Sequence, residues 1–487
     1  AAQVSSHYPA SIKWLLSAKL VYVKLEYAKM TNYDIIIIGA GPAGMSAASV
    51  AANAGLNVLL LDEQPDVGGK VYRNVKQNYS KQNWFGSDYS SGVHLVNAIN
   101  CNKITKYFRA TVWRVEKNKR VIWSHNGESK ISTASNIVLA TGAQERPFPF
   151  PGWTLPGVMT VGSAQILMKS SGIFPKEAVL VGSGPLLYLV ATQMIDANCP
   201  PKALIETQTL RMMMNSLIRL PLALLNMKSL IKGFMFIHKI KSAGVPRYKS
   251  VSSLEARLNN KGLIEFLFLH KGIKKSLKTK LLLIHQGVIP STEISRSIGI
   301  DHSWNTSQLS FQPIIDKWGK TNIDGIYIAG DCAGINGSTS ASLYGKLAAI
   351  KILYNTEKIN FYVYKIQSLS IRINLFFINS IRLFLDTLYA VPEEVLFPSD
   401  DTTVCRCEEK TVEQIKLGLN EGIRGVRQLK TSIRSGMGLC QGRMCDAIVR
   451  NIMLHNTSQE HTTILAPKTR SPIKPITLGE MSKIKKN

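Results

Sequence analysis

The stretch that most constrains the fold is residues 34–63, which has the pattern of a strand, a tight glycine turn, a helix and a second strand. Its first part, residues 35–38, is an unbroken run of isoleucine, as expected of a parallel strand buried on both faces. Gly39, Gly41 and Gly44 follow as GxGxxG. These glycines allow a tight turn, a close approach of the backbone to a pyrophosphate, and close packing of helix on strand.

The residues after this turn complete the signature of a dinucleotide site. Pro42 and Ala43 begin a helix of small residues, whose N-terminus offers free N–H groups to phosphates. Asp62 and Glu63 end the second strand, where a carboxylate can hold ribose hydroxyls. A plain βαβ unit without a ligand is the alternative. The strand, the helix and the acid in this order favour a dinucleotide site.

Composition limits the partners of this chain. Its 487 residues allow two or three domains, and 59 Lys and Arg against 32 Asp and Glu give a net charge of +27. The bases are scattered, which is typical of a composition bias; the alternative is a surface that attracts an acidic protein or anionic lipid. The sequence contains no nucleic-acid-binding motif, so we expect no nucleic-acid partner. Seven cysteines, four of them near the C-terminus, do not form a secreted disulfide framework.

Two apolar regions bear on membrane contact. Residues 1–30 carry scattered lysines and a short apolar patch broken by Lys19, which predicts a disordered leader. Residues 210–240 are apolar but contain arginine, lysine and proline, which we take to exclude a spanning helix. We therefore expect a cytoplasmic protein that is soluble or lies peripherally on the inner face of the membrane.

Two further segments predict that the dinucleotide is FAD. In a double-glycine turn, Gly69 lets the backbone approach a flavin or its pyrophosphate, and Lys70 can balance phosphate charge. Residues 110–139 alternate like a β-meander and lead into Thr141 and Gly142, placed to close over the adenine side. A simple exit from strand to turn is the alternative. No CxxxxC motif stands directly after the double glycine, so a dithiol relay beside the flavin is excluded.

A third segment returns the chain to the same cofactor. A buried strand ends in Gly330 and Asp331, which puts a carboxylate beside the ribityl and pyrophosphate. The helix that follows, over about residues 338–347, points its N-terminus at the flavin and can stabilise negative charge there. The segments around Gly39, Thr141 and Asp331 thus converge on one FAD, in an order that splits its domain around an insertion.

The insertion has a second nucleotide-type turn at Gly182 and Gly184, but Leu187 replaces the third glycine. Glu206 ends the next strand at the distance expected for a ribose contact. A second Rossmann unit is predicted, and whether it binds NAD stays open. Beyond it, residues 266–283 are predicted to form two strands around a basic turn at residues 271–280.

Four cysteines near the C-terminus have the composition of a metal centre. Cys405 and Cys407 form CxC, and Cys440 and Cys445 form CxxxxC, in what we expect to be one compact helical segment. Four thiolates can hold an iron–sulfur cluster or zinc. These spacings are not the paired CxxC of structural zinc, and a flavoprotein can use a one-electron centre, so a [2Fe–2S] cluster is favoured over zinc and over free thiols. The remaining three cysteines are interpreted as buried small residues.

Six motifs in this order resemble one flavoprotein family: GAGPAG, ATGAQERPFPFPGWTLPGVMT, GSGPL, AGDCAG, CRCEE and GMGLCQGRMC. The chain resembles the flavoprotein subunit shared by hydrogen cyanide synthase (its B subunit), opine oxidase (its A subunit) and dye-linked amino-acid dehydrogenases. The likeness covers nearly everything from Thr31 onwards.

This resemblance implies an α/β fold with two Rossmann-like dinucleotide-binding domains of the disulfide-reductase type, plus a small helical [2Fe–2S] domain like bacterioferritin-associated ferredoxin. It places FAD and the cluster on the glycines, acids, Lys70, Thr141 and cysteines already named. The implied division is a leader at 1–30, a split FAD domain at 31–155 and 286–355, an inserted NAD-like domain at 156–285, a helical linker at 356–400, a cluster domain at 401–455 and a tail at 456–487.

The implied function is electron transfer in a multi-subunit amino-acid or amine dehydrogenase. In it, FAD accepts electrons in pairs and the cluster passes them on one at a time. The implied partners are a D-amino-acid-oxidase-like flavin subunit, together with a small ferredoxin-like subunit. The implied substrate has a glycine-, proline- or opine-like C–N bond, and no catalytic base in this chain is identified. A stand-alone NAD(P)H-dependent flavin reductase and a non-enzymatic iron–sulfur carrier are the alternatives.

Overall fold

The computed structural model describes residues 31–79, 82–457 and 468–485. The expected leader at residues 1–30 lies outside these described residues.

The strands, in chain order, are β1 (Thr31–Ile38), β2 (Val58–Leu61), β3 (Ile104–Tyr107), β4 (Thr111–Val115), β5 (Arg120–His125), β6 (Glu128–Leu139), β7 (Ala143–Glu145), β8 (Val158–Thr160), β9 (Val179–Ser183), β10 (Ala203–Glu206), β11 (Arg247–Tyr248), β12 (Val251–Leu258), β13 (Ile264–His270), β14 (Ile273–Thr279), β15 (Leu282–Gln286), β16 (Val288–Pro290), β17 (His302–Asn305), β18 (Ser310–Pro313), β19 (Ile326–Ile328), β20 (Thr403–Cys405), β21 (Lys410–Thr411) and β22 (Ile484–Lys485).

The helices are α1 (Pro42–Asn53), α2 (Gln82–Phe85), α3 (Ser87–Ser90), α4 (Gly92–Ala98), α5 (Val161–Ser171), α6 (Pro185–Asp196), α7 (Leu210–Leu217), α8 (Leu220–Ala223), α9 (Met227–Ser242), α10 (Glu293–Ile298), α11 (Ser338–Asn355), α12 (Phe361–Asn379), α13 (Arg382–Leu388), α14 (Glu393–Leu396), α15 (Val412–Asn420), α16 (Val426–Ile433), α17 (Asp446–Thr457) and α18 (Leu478–Ser482).

The first sheet has the order β3-β2-β1-β6-β5-β4, and β19 and β22 also pair with β6. Its strand β1 is buried on both faces, as predicted. Ile35 and Ile37 lie in a core shared with α1 and α11, whereas Ile36 and Ile38 lie in a second core with residues of β4 and β5. The meander predicted over residues 110–139 is present as β4, β5 and β6.

The second sheet is parallel and has the order β11-β10-β9-β15-β8. All its strands lie in the sequence between β6 and β19, two strands of the first sheet. The glycine turn at its centre joins β9 to α6, so the predicted second Rossmann-like unit is present. The antiparallel sheet β12-β13-β14 lies between β11 and β15 in the chain. Here one prediction is wrong: residues 271–280 are not a basic turn, because most of them form β14, an edge strand whose lysines face solvent.

The C-terminal part has a small core of its own. The hairpin of β20 and β21 and the helices α15, α16 and α17 bury apolar side chains such as Val404, Ile415 and Met453. The described part of the tail, residues 468–485, then returns to the first sheet, where Ile473 is buried and β22 pairs with β6.

Two helical segments, Leu220–Ser242 and Phe361–Leu388, are long and apolar enough to cross a membrane by length and composition. We expected the arginines, lysines and proline of residues 210–240 to exclude a membrane-spanning helix. The basic residues do not exclude one, because the apolar windows of 18 residues contain few charges. Most of the two apolar windows is exposed, since 6% of the first and 22% of the second are buried. Helix α9 of the first segment contacts α6 of the second Rossmann unit, and its Ile240 is fully buried there.

Candidate functional site

A cavity of about 1840 Å³ joins the two Rossmann-like units. All the residues predicted to bind FAD line it, except two glycines that pack behind its wall, Gly44 and Gly330. Those that line it are Gly39, Gly41, Pro42, Ala43, Asp62, Glu63, Gly69, Lys70, Thr141, Gly142 and Asp331. Three segments far apart in the chain thus meet around one space.

The first glycine turn admits no larger residue at two positions. Gly39 has a φ of +109°, and a Cβ there would lie 2.3 Å from the carbonyl oxygen of Ala140. A Cβ on Gly44 would lie 1.8 Å from the carbonyl oxygen of Gly39. Helix α1 begins beyond Gly41 without a side-chain cap, so its first N–H groups are available to an anion such as a pyrophosphate.

The two acids after β2 have different surroundings. Asp62 is buried, and its two carboxylate oxygens accept hydrogen bonds from the N–H groups of Ala40 (2.6 Å) and Gln64 (2.8 Å). Burial raises the pKa of Asp62. Burial also acts to raise the pKa of Glu63, but Lys474 of the tail, 2.9 Å away, and Lys70 outweigh it and lower that pKa. Asp62 therefore orders the turn, and Glu63 is the better placed of the two to hold a ribose.

Lys70 and Asp331 also line the cavity. The Lys70 ammonium donates to the carbonyl oxygen of Ala143 at 2.5 Å, and burial lowers its pKa. Asp331 Oδ1 accepts from the N–H groups of Asn336 and Gly337, both at 3.0 Å, and burial raises the Asp331 pKa. These bonds fix the turn that leads into α11, whose N-terminus also lacks a side-chain cap.

The second glycine turn does not face this cavity. Glu206 is fully buried, and its Oε1 accepts from the hydroxyl of Tyr188 (2.5 Å) and from the guanidinium of Arg247 (2.6 Å). The imidazole of His285 lies 3.3 Å from where a Cβ of Gly184 would point. The residues weighed for NAD, namely Gly182, Gly184 and Glu206, are therefore brought together, but the acid is engaged by the protein itself.

The four C-terminal cysteines form two pairs. Cys405 and Cys445 share a hydrogen bond, which lowers the pKa of Cys405 to about 5 and raises that of Cys445. Cys407 contacts Cys440. They do not lie in one helical segment as predicted: Cys405 ends β20, Cys407 and Cys440 lie in turns, and Cys445 precedes α17. Of the other three, only Cys332 is buried.

Backbone groups and a second loop lie close to these thiols. The N–H of Gly436 donates to Cys405 Sγ at 3.3 Å, as backbone groups do to cluster sulfurs. A Cβ on Gly438 would lie 2.2 Å from Cys407 Cβ, so glycine lets the two loops approach. Among the described residues, no three His, Cys, Asp or Glu side chains stand close enough to hold a metal ion. A centre on all four thiols therefore requires the two pairs to close on each other.

The cysteine loops border the flavin cavity. Arg406, between two of the cysteines, lines it, as do Arg443 and Met444 just before Cys445. The side chain of Gln144 donates to the carbonyl oxygen of Arg443 at 2.9 Å and fixes this contact.

A second contact in the same region is an ion pair of 3.0 Å between Arg296 and Asp446. Sequence reasoning missed the contacts of Gln144 with Arg443 and of Arg296 with Asp446. The signal that could have pointed to Gln144 is the polar run that directly follows Thr141 and Gly142.

Comparisons with known proteins identify the family of this chain. The pyridine nucleotide-disulphide oxidoreductase family model matches residues 33–345. The A subunit of opine oxidase from Agrobacterium tumefaciens (strain Ach5) is 38% identical over 464 residues, covering 92% of this chain and 91% of that protein. The HcnB subunit of hydrogen cyanide synthase from Pseudomonas aeruginosa is 30% identical over 471 residues, covering 91% and 97%.

A solved structure shows the same fold over most of the chain. L-proline dehydrogenase from P. horikoshii aligns with a TM-score of 0.65 over 94% of this chain and 82% of that one, at 19% identity. The predicted resemblance and the α/β fold of the disulfide-reductase type are thus confirmed. The chain belongs to the pyridine nucleotide-disulphide oxidoreductase family and is an FAD-dependent oxidoreductase.

Proposed function

We propose that this chain is the electron-transferring subunit of a multi-subunit dehydrogenase or oxidase that acts on the C–N bond of a glycine-, opine- or proline-like amino acid or amine. The relatives support this proposal, because their names describe subunits of larger oxidases and synthases. As partners we propose a D-amino-acid-oxidase-like flavin subunit, together with a small ferredoxin-like subunit. We also propose the domain division expected from the sequence: a split FAD domain at 31–155 and 286–355, an inserted NAD-like domain at 156–285, a helical linker at 356–400 and a cluster domain at 401–455.

The observation that carries the proposal is the shared wall between the flavin cavity and the cysteine loops. Arg406, Arg443 and Met444 line the cavity and are sequence neighbours of Cys405, Cys407 and Cys445. When bound, FAD would take two electrons from a substrate or partner, and a [2Fe–2S] cluster would accept electrons singly. The two sites adjoin, so electrons have a short path between them. A non-enzymatic iron–sulfur carrier would leave the large cavity without a role.

The residues of this chain have defined roles in that function. The uncapped N-termini of α1 and α11 meet at the cavity and supply N–H groups to the cofactor phosphates and to negative charge on the flavin. Glu63 is placed to hold the ribose of FAD, and the Lys70 ammonium balances phosphate charge. The N–H of Gly436 would stabilise a negatively charged sulfur of the cluster.

We further propose that the second Rossmann unit does not deliver electrons from NADH. One oxygen of Glu206, Oε1, is already held by Tyr188 and Arg247, and breaking these bonds would leave the half-buried guanidinium of Arg247 without this partner. A ribose would have to reach the other oxygen, Oε2, which is buried in the protein, or displace these bonds. This argues against a stand-alone NAD(P)H-dependent reductase.

Stopped-flow absorbance tests the proposed source of electrons. NADH mixed with the flavin-loaded chain is expected to leave the flavin absorbance unchanged over seconds to minutes, because Glu206 is fully buried and its Oε1 is already held by Tyr188 and Arg247. The amino substrate, added with the co-purified partner subunits, is expected to bleach the flavin. Rapid bleaching by NADH, at a rate that equals or exceeds the rate with any amino substrate, would contradict the proposal and favour the reductase.

A further inference from the structure

One surface of the protein is apolar and exposed. It is formed by α7, α8 and α9 together with α12, and we call it the apolar face. Eight of its large side chains are each at least 60% exposed: Leu210, Met214, Ile218, Phe234, Met235, Tyr362, Ile366 and Phe376. A contiguous apolar patch of this kind marks a contact with another molecule or with a membrane.

The two helical segments that form the apolar face are joined. The side chain of Asn226 donates to the carbonyl oxygen of Ile378 at 2.9 Å, which connects the start of α9 to the end of α12. Helix α13 packs against α7 and α8. The exposed side chains therefore belong to one surface and do not form two separate patches.

The charges of the apolar face all have one sign. Residues 210–242 and 361–379 contain no Asp or Glu. Their bases are Arg211, Arg219, Lys228, Lys232, Lys239, Lys241, Lys365 and Arg372. Apolar side chains with lysine and arginine among them, and no acids, are typical of helices that lie on anionic lipid.

The orientation of α9 fits a helix that lies flat on a membrane. Its Lys232 and Lys239 pair with Asp88 and Asp196, which lie outside the two segments. These pairs and the contact with α6 hold one side of α9 on the folded protein, while Phe234 and Met235 are exposed at the mouth of the flavin cavity, which they also line. A spanning helix would have to give up these contacts.

We propose that the apolar face binds the surface of an anionic phospholipid bilayer. A protein partner fits less well, because interfaces between proteins are depleted in lysine, whereas this face contains five lysines among its eight bases. Met227, Ile231 and Met235 of α9 also line the flavin cavity, so docking would place that cavity beside the bilayer.

Vesicle co-sedimentation of the full flavin-loaded chain tests the proposal. The chain is expected to pellet with vesicles of phosphatidylcholine and phosphatidylglycerol, to bind vesicles of phosphatidylcholine alone more weakly, and to be released by added salt. Ile366→Glu and Ile218→Glu are each expected to weaken binding about tenfold or more, since each removes an inserted apolar side chain and adds a repelled charge. The matched control is Ile273→Glu on β14, where the exposed isoleucine lies outside the apolar face and binding should be unchanged.

Several results would overturn the proposal. One is a wild-type chain that stays in the supernatant with anionic vesicles. Another is equal binding of Ile366→Glu and wild type when circular dichroism and flavin content show that both are folded. A third is self-association, measured by analytical ultracentrifugation, that Ile366→Glu abolishes in the absence of any vesicle binding; this would assign the apolar face to a second copy of the chain.

Discussion

Replacing Cys445 with serine is expected to remove the cluster from the chain and to abolish transfer to a one-electron acceptor, while FAD stays bound. Cys445 is buried and contacts Cys405, and a serine hydroxyl is a harder and poorer ligand for iron. Losing a residue that only supports a metal ligand costs about 10–100-fold in affinity, so losing a ligand should cost more. Iron content, the visible absorption spectrum and the rate of dye reduction measure the effect.

The same substitution elsewhere provides the control. Cys101 and Cys199 are half-buried and lie far from the cysteine loops in the sequence, and Cys→Ser at either position should leave iron and activity unchanged. If Cys445→Ser retained its iron and its rate of dye reduction, the assignment of the four cysteines as ligands would be wrong.

Asp331→Ala is expected to weaken FAD binding about tenfold to a hundredfold without unfolding the protein. The substitution removes the acceptor for the N–H groups of Asn336 and Gly337, each a hydrogen bond to a charged group worth about 1.5–3 kcal/mol. The turn before α11 then loses its fixed geometry, and the helix N-terminus no longer points reliably at the cofactor. Fluorescence titration of the apoprotein with FAD measures the loss.

Asp331→Asn separates the geometry of this turn from its charge. Its amide oxygen can still accept from the two N–H groups, so we expect the asparagine variant to bind FAD more tightly than the alanine variant. Circular dichroism should show that both are folded. An alanine variant that binds FAD as tightly as wild type would refute the role of Asp331.

The local part of the flavin site could be predicted from the sequence. Each glycine turn carries its own conformational requirement, as the φ of +109° at Gly39 shows, and the isoleucines of β1 form an apolar run that is visible in a short window. The failed prediction at residues 271–280 has a local cause as well. Lysines suggested a turn, but the solvent side of an edge strand accepts the same residues.

Contacts between distant segments could not be predicted in this way. Lys474 reaches Glu63 across most of the chain, and Gln144 meets Arg443 only because both Rossmann units and the cysteine loops are already folded. The ion pair of Glu206 could not be predicted either. The spacing of Glu206 suggested a ribose acceptor, but its carboxylate pairs with Arg247, which lies in a later strand of the same sheet.

The central claim, that one chain holds FAD beside an iron–sulfur cluster, is tested most directly by cofactor analysis of the anaerobically purified full chain. The account predicts stoichiometric FAD together with iron and acid-labile sulfide in equal amounts, and loss of the iron and sulfide alone in Cys445→Ser. Stoichiometric zinc with no iron would contradict it and leave FAD as the sole electron carrier of the chain.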